Sequence, residues 1–218
     1  MQKYIALIKR CPLFQGIGEE DILRVLPCLG ARIQHCDKDE VLLREGEPAP
    51  YFGILLSGRA HISATDYFGV RSLVAEIGKG DLFAESFTLA GVPMPVSVTA
   101  VEPGTFLLID GARLTRTCEH SCPFHQKVIY NLMQILALKN IELHQRREIT
   151  SRRTTREKLL AYLHLLARQQ QSRTLQIPFD RQALADFLGV DRSGLSHEIG
   201  KLRQEGILQC RKNHFKLL

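Results

Sequence analysis

The sequence predicts an α+β chain: an antiparallel, β-rich N-terminal part, one long helix, and a helical C-terminal part that closes on a strand–turn–strand. Three observations carry this. Between residues 31 and 110, short apolar runs separated by Gly, Pro and Asp recur about every ten residues, which is the punctuation of an antiparallel sandwich or barrel. Residues 123–147 repeat apolar side chains at spacings of three and four, interrupted at Lys139, the period of a helix. The last third alternates amphipathic helical segments with turn residues.

The elements follow in order. Residues 1–30 read as helical: GEEDILRVLPCLG sets Ile22, Leu23, Val25 and Leu26 on one side and stacks acids in the first turn, where the helix dipole favours them. The strand candidates are EVLLREG, YFGILLSG, AHISATD, RSLVAEIG, PVSVTAV and GTFLLID, with GKGDLF (78–83) a glycine-bearing turn. In the long helix Pro123 suits the first turn. Ile129, Leu132, Leu136, Lys139 and Leu143 form a stripe, widened by Val128, Ile135 and Leu138. Such a stripe is either buried within one chain or the seam of a dimer, with Lys139 and Asn140 as polar interruptions that set register. The boundary between the two parts falls near 146–152; an amphipathic helix starts at about 154, TLQIPF is a short strand, and ILQCRKNHFKLL is strand, turn around Arg211–Asn213, strand.

LADFLGVDRSGLSHEIGKLRQEGIL (184–208) is the most informative stretch. Asp180 is placed to cap a helix from Arg181, with Ala183, Leu184, Phe187 and Leu188 inward. Gly189 supplies the positive φ of a tight helix-to-helix turn. Asp191 can cap a second helix to about Gln204, with Leu195, Ile199 and Leu202 inward. Arg192, Ser193, Ser196 and His197 are then left facing outward on its N-terminal half. A plain helical hairpin would share the helix–Gly–helix pattern, but a helix-turn-helix also needs these outward polar groups, since the first turns of its second helix enter the major groove.

Charge sides with the second reading. The net charge is +6. Residues 1–143 hold 14 Lys+Arg against 16 Asp+Glu, and residues 144–218 hold 15 against 7. A last third at net +8 suits a polyanion such as double-stranded DNA. There is no apolar run of about eighteen residues and hence no membrane span. MQKYIALIKRCPLF is too short in apolar residues for a secretory segment. The expected location is the cytoplasm, where the six cysteines are reduced thiols. The chain lacks G-x-S-x-G, a P-loop and H-E-x-x-H, and its β-region has only His35 and His61, far apart. An enzyme, including a metal-binding cupin, is therefore not expected.

Taken in order, CPLFQGIGEEDI, FGILLSGRAHIS, GDLFAESFTLAG, the 123–147 helix and FDRQALADFLGVDRSGLSHEIGKLRQEGIL resemble the Crp/Fnr family of bacterial transcription regulators across nearly the whole chain. The resemblance implies a jelly-roll-like β-roll sensor over 1–122, a dimerisation helix over 123–147 and a winged helix-turn-helix over 148–218. It implies a homodimer whose long helices, seamed by Ile129, Leu132, Leu136 and Leu143, re-aim two recognition helices on a pseudo-palindromic operator, with RNA polymerase as a further partner if it activates. Arg192 matches the family's guanine-reading arginine. Ser193 and His197 stand where well-studied members carry Glu and Arg, which implies a non-standard operator. Ser196 is a second short reader, and Arg181, Arg211 and Lys212 are the phosphate contacts.

For the effector, the family cassette uses a Gly-Glu pair and an arginine about ten residues on. Here Glu85 fits the Glu, Ala84 replaces the Gly, and SFTLAGVPMPVSVTA has no arginine. A buried phosphate without a cation is costly, so cyclic AMP is not expected, and a less charged small molecule is. Glu85, Ser86, Asn140 and His144 are its polar candidates. The alternative sensor is a metal, an Fe–S cluster or a redox thiol: CEHSCPFH groups Cys118, His120, Cys122 and His125, and Cys11 lies near the last N-terminal cluster ligand of the Fnr branch. A rival without DNA is a signal-responsive dimer that docks other proteins.

Overall fold

The computed structural model describes residues 1–116 and 123–218. After a 3₁₀ turn come α1 (Ile5–Arg10), a second 3₁₀ turn and α2 (Glu19–Cys28). The β-region holds β1 (Arg32–Cys36), β2 (Val41–Leu43), β3 (Tyr51–Ser57), β4 (Ala60–Thr65), β5 (Arg71–Ile77), β6 (Leu82–Phe83), α3 (Glu85–Ala90), β7 (Ser97–Ala100), β8 (Gly104–Asp110) and α4 (Gly111–Thr115). There follow α5 (Pro123–Thr150), α6 (Thr155–Gln170), β9 (Thr174–Gln176), α7 (Arg181–Leu188), α8 (Arg192–Gln204), β10 (Leu208–Arg211) and β11 (His214–Leu217). The long helix thus runs three residues past the expected 147. The chain divides into two compact units, Met1–Ala137 and Leu138–Leu218.

In the first unit two four-stranded antiparallel sheets, β1-β8-β3-β6 and β2-β7-β4-β5, make a roll. β3 is apolar at nearly every position because both its faces are covered. Phe52, Ile54 and Leu56 face α1, α2 and α5, while Leu55 faces Val98 and Ala100 of the other sheet. Gly58 turns the chain from β3 into β4 at φ +87, where a Cβ would lie 2.7 Å from the Pro103 carbonyl oxygen, so only glycine fits.

The first half of α5 belongs to this core. Val128 and Leu132 are buried in it, and Ile129, Ile135 and Leu136 pack against it. Asn131 donates to the carbonyls of Leu13 (3.0 Å) and Gln15 (2.9 Å). Of the expected dimer-seam residues, Leu132 lies within this core. Leu132 is 4% exposed, Ile129 and Leu136 are half-buried, and Leu143 is exposed. Besides Leu143, α5 leaves Tyr130, Met133, Leu138 and Ile141 uncovered, and these four lie on roughly the opposite side of a 3.6-residue helix.

In the second unit α6, α7 and α8 close over the three-stranded sheet β10-β11-β9, around Leu159, Leu163, Leu184, Leu195, Ile199, Leu202 and Phe215. α6 starts with a capping box: Thr154 accepts from the Glu157 N–H, and Glu157 accepts from the Thr154 N–H. On α7 the fully buried residues are Leu184, Ala185 and Leu188, and the expected Ala183 and Phe187 are only half-buried. Among the described residues, no helix is long and apolar enough to cross a membrane.

Candidate nucleic-acid interface and effector cassette

The interface is built from caps. Asp180 accepts from the Ala183 N–H at 2.8 Å and starts α7. Gly189 ends it at φ +59, its N–H bonded back to Ala185 and Asp186. A Cβ there would meet nothing within 4 Å, so conformation rather than space demands glycine. Asp191 starts α8 by accepting from the Gly194 N–H at 2.8 Å and from the Ser193 hydroxyl. The Ser193 hydroxyl, and then the Gly194 N–H, hold the Asp191 carboxyl below the usual carboxylate range.

α8 buries Leu195, Ile199 and Leu202 and leaves Arg192, Ser193, Ser196 and His197 exposed together on its first turns. They are not equally available. Ser193 donates its hydroxyl hydrogen bond to Asp191, and Ser196 donates to the Arg192 carbonyl at 2.9 Å, so each offers outward chiefly an acceptor oxygen. The Arg192 guanidinium has no side-chain partner among the described residues, and its five donors are uncommitted. At the wing, Arg211 and Lys212 are exposed, with Lys212 at φ +53 in the turn. Arg181 is half-buried: its guanidinium lies 5.7 Å over the Phe215 ring and donates to the Lys212 carbonyl at 3.5 Å, so it pins the wing to the start of α7.

The residues that brace α8 escaped sequence reading. Arg156 of α6 forms a double hydrogen bond with Glu205, one arm at 2.9 Å, and an ion pair with Glu198 at 3.6 Å. Arg156 holds the Glu205 carboxyl below its ordinary range. Lys158 donates to the Gly189 carbonyl at 3.2 Å, across the turn. These partners lie 31 and 49 positions apart in the chain, and no local pattern announces them.

The cassette departs from a phosphate cradle. Ala84 sits at φ +64 and ψ 0, the left-handed conformation a glycine takes without strain. Glu85 behind it is 4% exposed, while Ser86 is exposed. Arg71, which β5 adds to the sheet, spends its guanidinium on the hydroxyls of Ser63 and Thr99, both at 2.7 Å. Asn140 and His144 are exposed on the half of α5 that belongs to the other unit.

Two of the described thiols, those of Cys11 and Cys36, are buried. Burial pushes the Cys11 and Cys36 thiols above their ordinary values, which lowers the thiolate fraction that metals and oxidants require. Among the described residues, no three of His, Cys, Asp and Glu are placed to hold a metal ion. Cys118, His120 and Cys122 lie outside the described residues.

Two family models match in succession: the cyclic nucleotide-binding domain over residues 33–121 and the Crp-like helix-turn-helix domain over residues 157–218. In this order they are the two modules of Crp/Fnr-type proteins. The cyclic AMP receptor protein of Thermus thermophilus is 25% identical over 205 residues, covering 93% of this chain and 90% of that protein. Two solved structures share the fold. The Thermus thermophilus catabolite activator protein has a TM-score of 0.52 at 21% identity, covering 95% of this chain and 93% of its own. DNR from Pseudomonas aeruginosa has a TM-score of 0.51 at 21% identity, covering 100% and 95%. The chain spans less than a third of the potassium-channel and cGMP-dependent protein kinase relatives it also matches, 18% and 28% of their lengths.

Proposed function

We propose that this chain acts as a homodimer that reads a pseudo-palindromic DNA operator, and that a small molecule other than cyclic AMP, held in the β-roll, sets its affinity. The observation that carries the DNA reading is the unpartnered Arg192 guanidinium on the capped, braced first turn of α8, beside exposed His197. An arginine fork there suits the O6 and N7 acceptors of guanine. Ser193 and Ser196 add acceptors, which suit base amino groups, and Arg211 and Lys212 position the wing on phosphates. Dimerisation is supported by the uncovered Tyr130, Met133, Leu138 and Ile141, an apolar face that a second copy of the helix would cover. Against cyclic AMP stand Ala84 and the absence of arginine from 86–100, the stretch where the family cassette carries its phosphate counter-ion.

The test is selection of bound sequences from a random duplex library, then fluorescence anisotropy on the winner at several salt concentrations. A palindromic consensus whose affinity falls steeply with salt supports the reading, because each neutralised phosphate releases counter-ions. Weak binding with a flat salt response would overturn it in favour of a dimer that docks proteins.

A further inference from the structure

The second unit holds an apolar groove of about 710 Å³, partly open to solvent, between the rear half of α5, α6 and α7. We propose that it binds a planar aromatic carboxylate of one or two rings. This goes beyond the proposed β-roll effector and does not depend on it, since every lining residue lies in the second unit.

The stripe that α5 buries in its front half continues into this groove as Leu143 and Ile149. Opposite stands an aromatic trio. Phe179 and Phe187 stack with centroids 5.1 Å apart and planes at 29°, and Tyr162 lies 5.0 Å from Phe187 and 6.2 Å from Phe179. The edges of such a cluster accept a further ring in edge-on contact, and the volume is that of a small-molecule site.

The polar groups choose the charge. The Arg146 guanidinium lies 5.6 Å over the Phe187 ring, with no carboxylate partner among the described residues. Lys139 and Glu142, also in the lining, oppose each other in sign, which leaves Arg146 as the net charge. An arginine fork beside apolar rings matches a carboxylate bound through two oxygens. The Tyr162 hydroxyl makes no hydrogen bond among the described residues, though the residue is only 5% exposed. Burial pushes its pKa up to about 12, so it stays a neutral donor. A ligand here touches α5, α6 and α7 at once and holds the rear of α5 against the helix-turn-helix.

The experiment uses the full chain, with 1-naphthoate and neutral 1-naphthamide as probes in isothermal titration. One naphthoate per chain is expected, with a preference over the amide of about tenfold, the scale of one charge-assisted hydrogen bond. Arg146→Gln, at an exposed residue, should erase that preference while the amide still binds. Gln169→Trp, on the exposed rim, should weaken both probes by about tenfold by filling the mouth. Unchanged melting temperatures would show both variants folded. No saturable binding, no preference for the acid, or affinities that neither variant moves would each overturn the proposal.

Discussion

In the second unit, the groups that meet a ligand in the proposed reading stand outside the fold. Arg192, Ser193, Ser196 and His197 are exposed on a helix whose start is fixed by Asp191 and whose body is clamped by Arg156. In the first unit the corresponding groups are turned inward or absent: Glu85 is buried, Ala84 occupies a glycine conformation, and no arginine follows. One unit presents its chemistry on a rigid outer face, and the other keeps what it has inside. A surface reader needs only a helix of correct phase and a cap, and both are local. A pocket needs groups brought from several strands, which local pattern does not specify.

The largest effect that sharpens this contrast lies where α5 serves the first unit. Leu132→Ala should cost about 2–5 kcal/mol through the cavity it leaves. Urea melts at several protein concentrations check it: the loss should not depend on concentration, whereas a dimer-seam leucine would give one that does. The matching change on the uncovered face, Ile141→Asp, should lower the dimer fraction in sedimentation while leaving the melt of the monomer unchanged.

The second unit is challenged next. Arg192→Ala should lose about 1–3 kcal/mol of affinity for the selected operator and relax choice at one base pair per half-site. Arg211→Ala should weaken all duplexes alike and reduce the salt slope by about 1. If the two variants behave the same in anisotropy titrations, α8 does not read bases.

A smaller effect lies in the cassette. Ala84→Gly should relieve left-handed strain worth about 1–2 kcal/mol, less the extra entropy glycine keeps when unfolded, for a modest net gain in denaturant midpoint. A loss would mean that the alanine methyl packs usefully there.

The smallest is a pH effect. The Asp191 and Glu205 carboxyls are held below their ordinary values by the Ser193 hydroxyl and by Arg156. A depressed folded value means that the unfolded chain binds protons more readily. The stabilisation is therefore complete above the unfolded value and is lost as pH falls through the folded one. Thermal melts of the full chain should weaken below about pH 4, and Asp191→Asn should flatten part of that slope.

Much of the helix-turn-helix was legible beforehand. Asp180, Gly189, Asp191 and the inward Leu195, Ile199 and Leu202 are capping and periodicity signals that act within a few residues, and the structure places each as expected. Arg181 was legible as a cation but not as the group that pins the wing, because its partner Lys212 lies 31 positions away. On α5 the period showed a helix and a stripe but could not say what covers the stripe.

The sequence by itself determined the α+β order, the boundaries of the caps and turns, the missing cassette arginine and the outward set on α8. Each of these depends on residue type and short spacing, which fix local backbone preference and side-chain phase. Only the tertiary structure decided that Leu132 belongs to its own core, that Arg156 braces α8, that the Cys11 and Cys36 thiols are buried, and that Tyr162, Phe179 and Phe187 gather opposite Arg146. Burial and long-range pairing depend on which surfaces meet once the whole chain is packed, and that information is spread over the chain rather than carried at any one position.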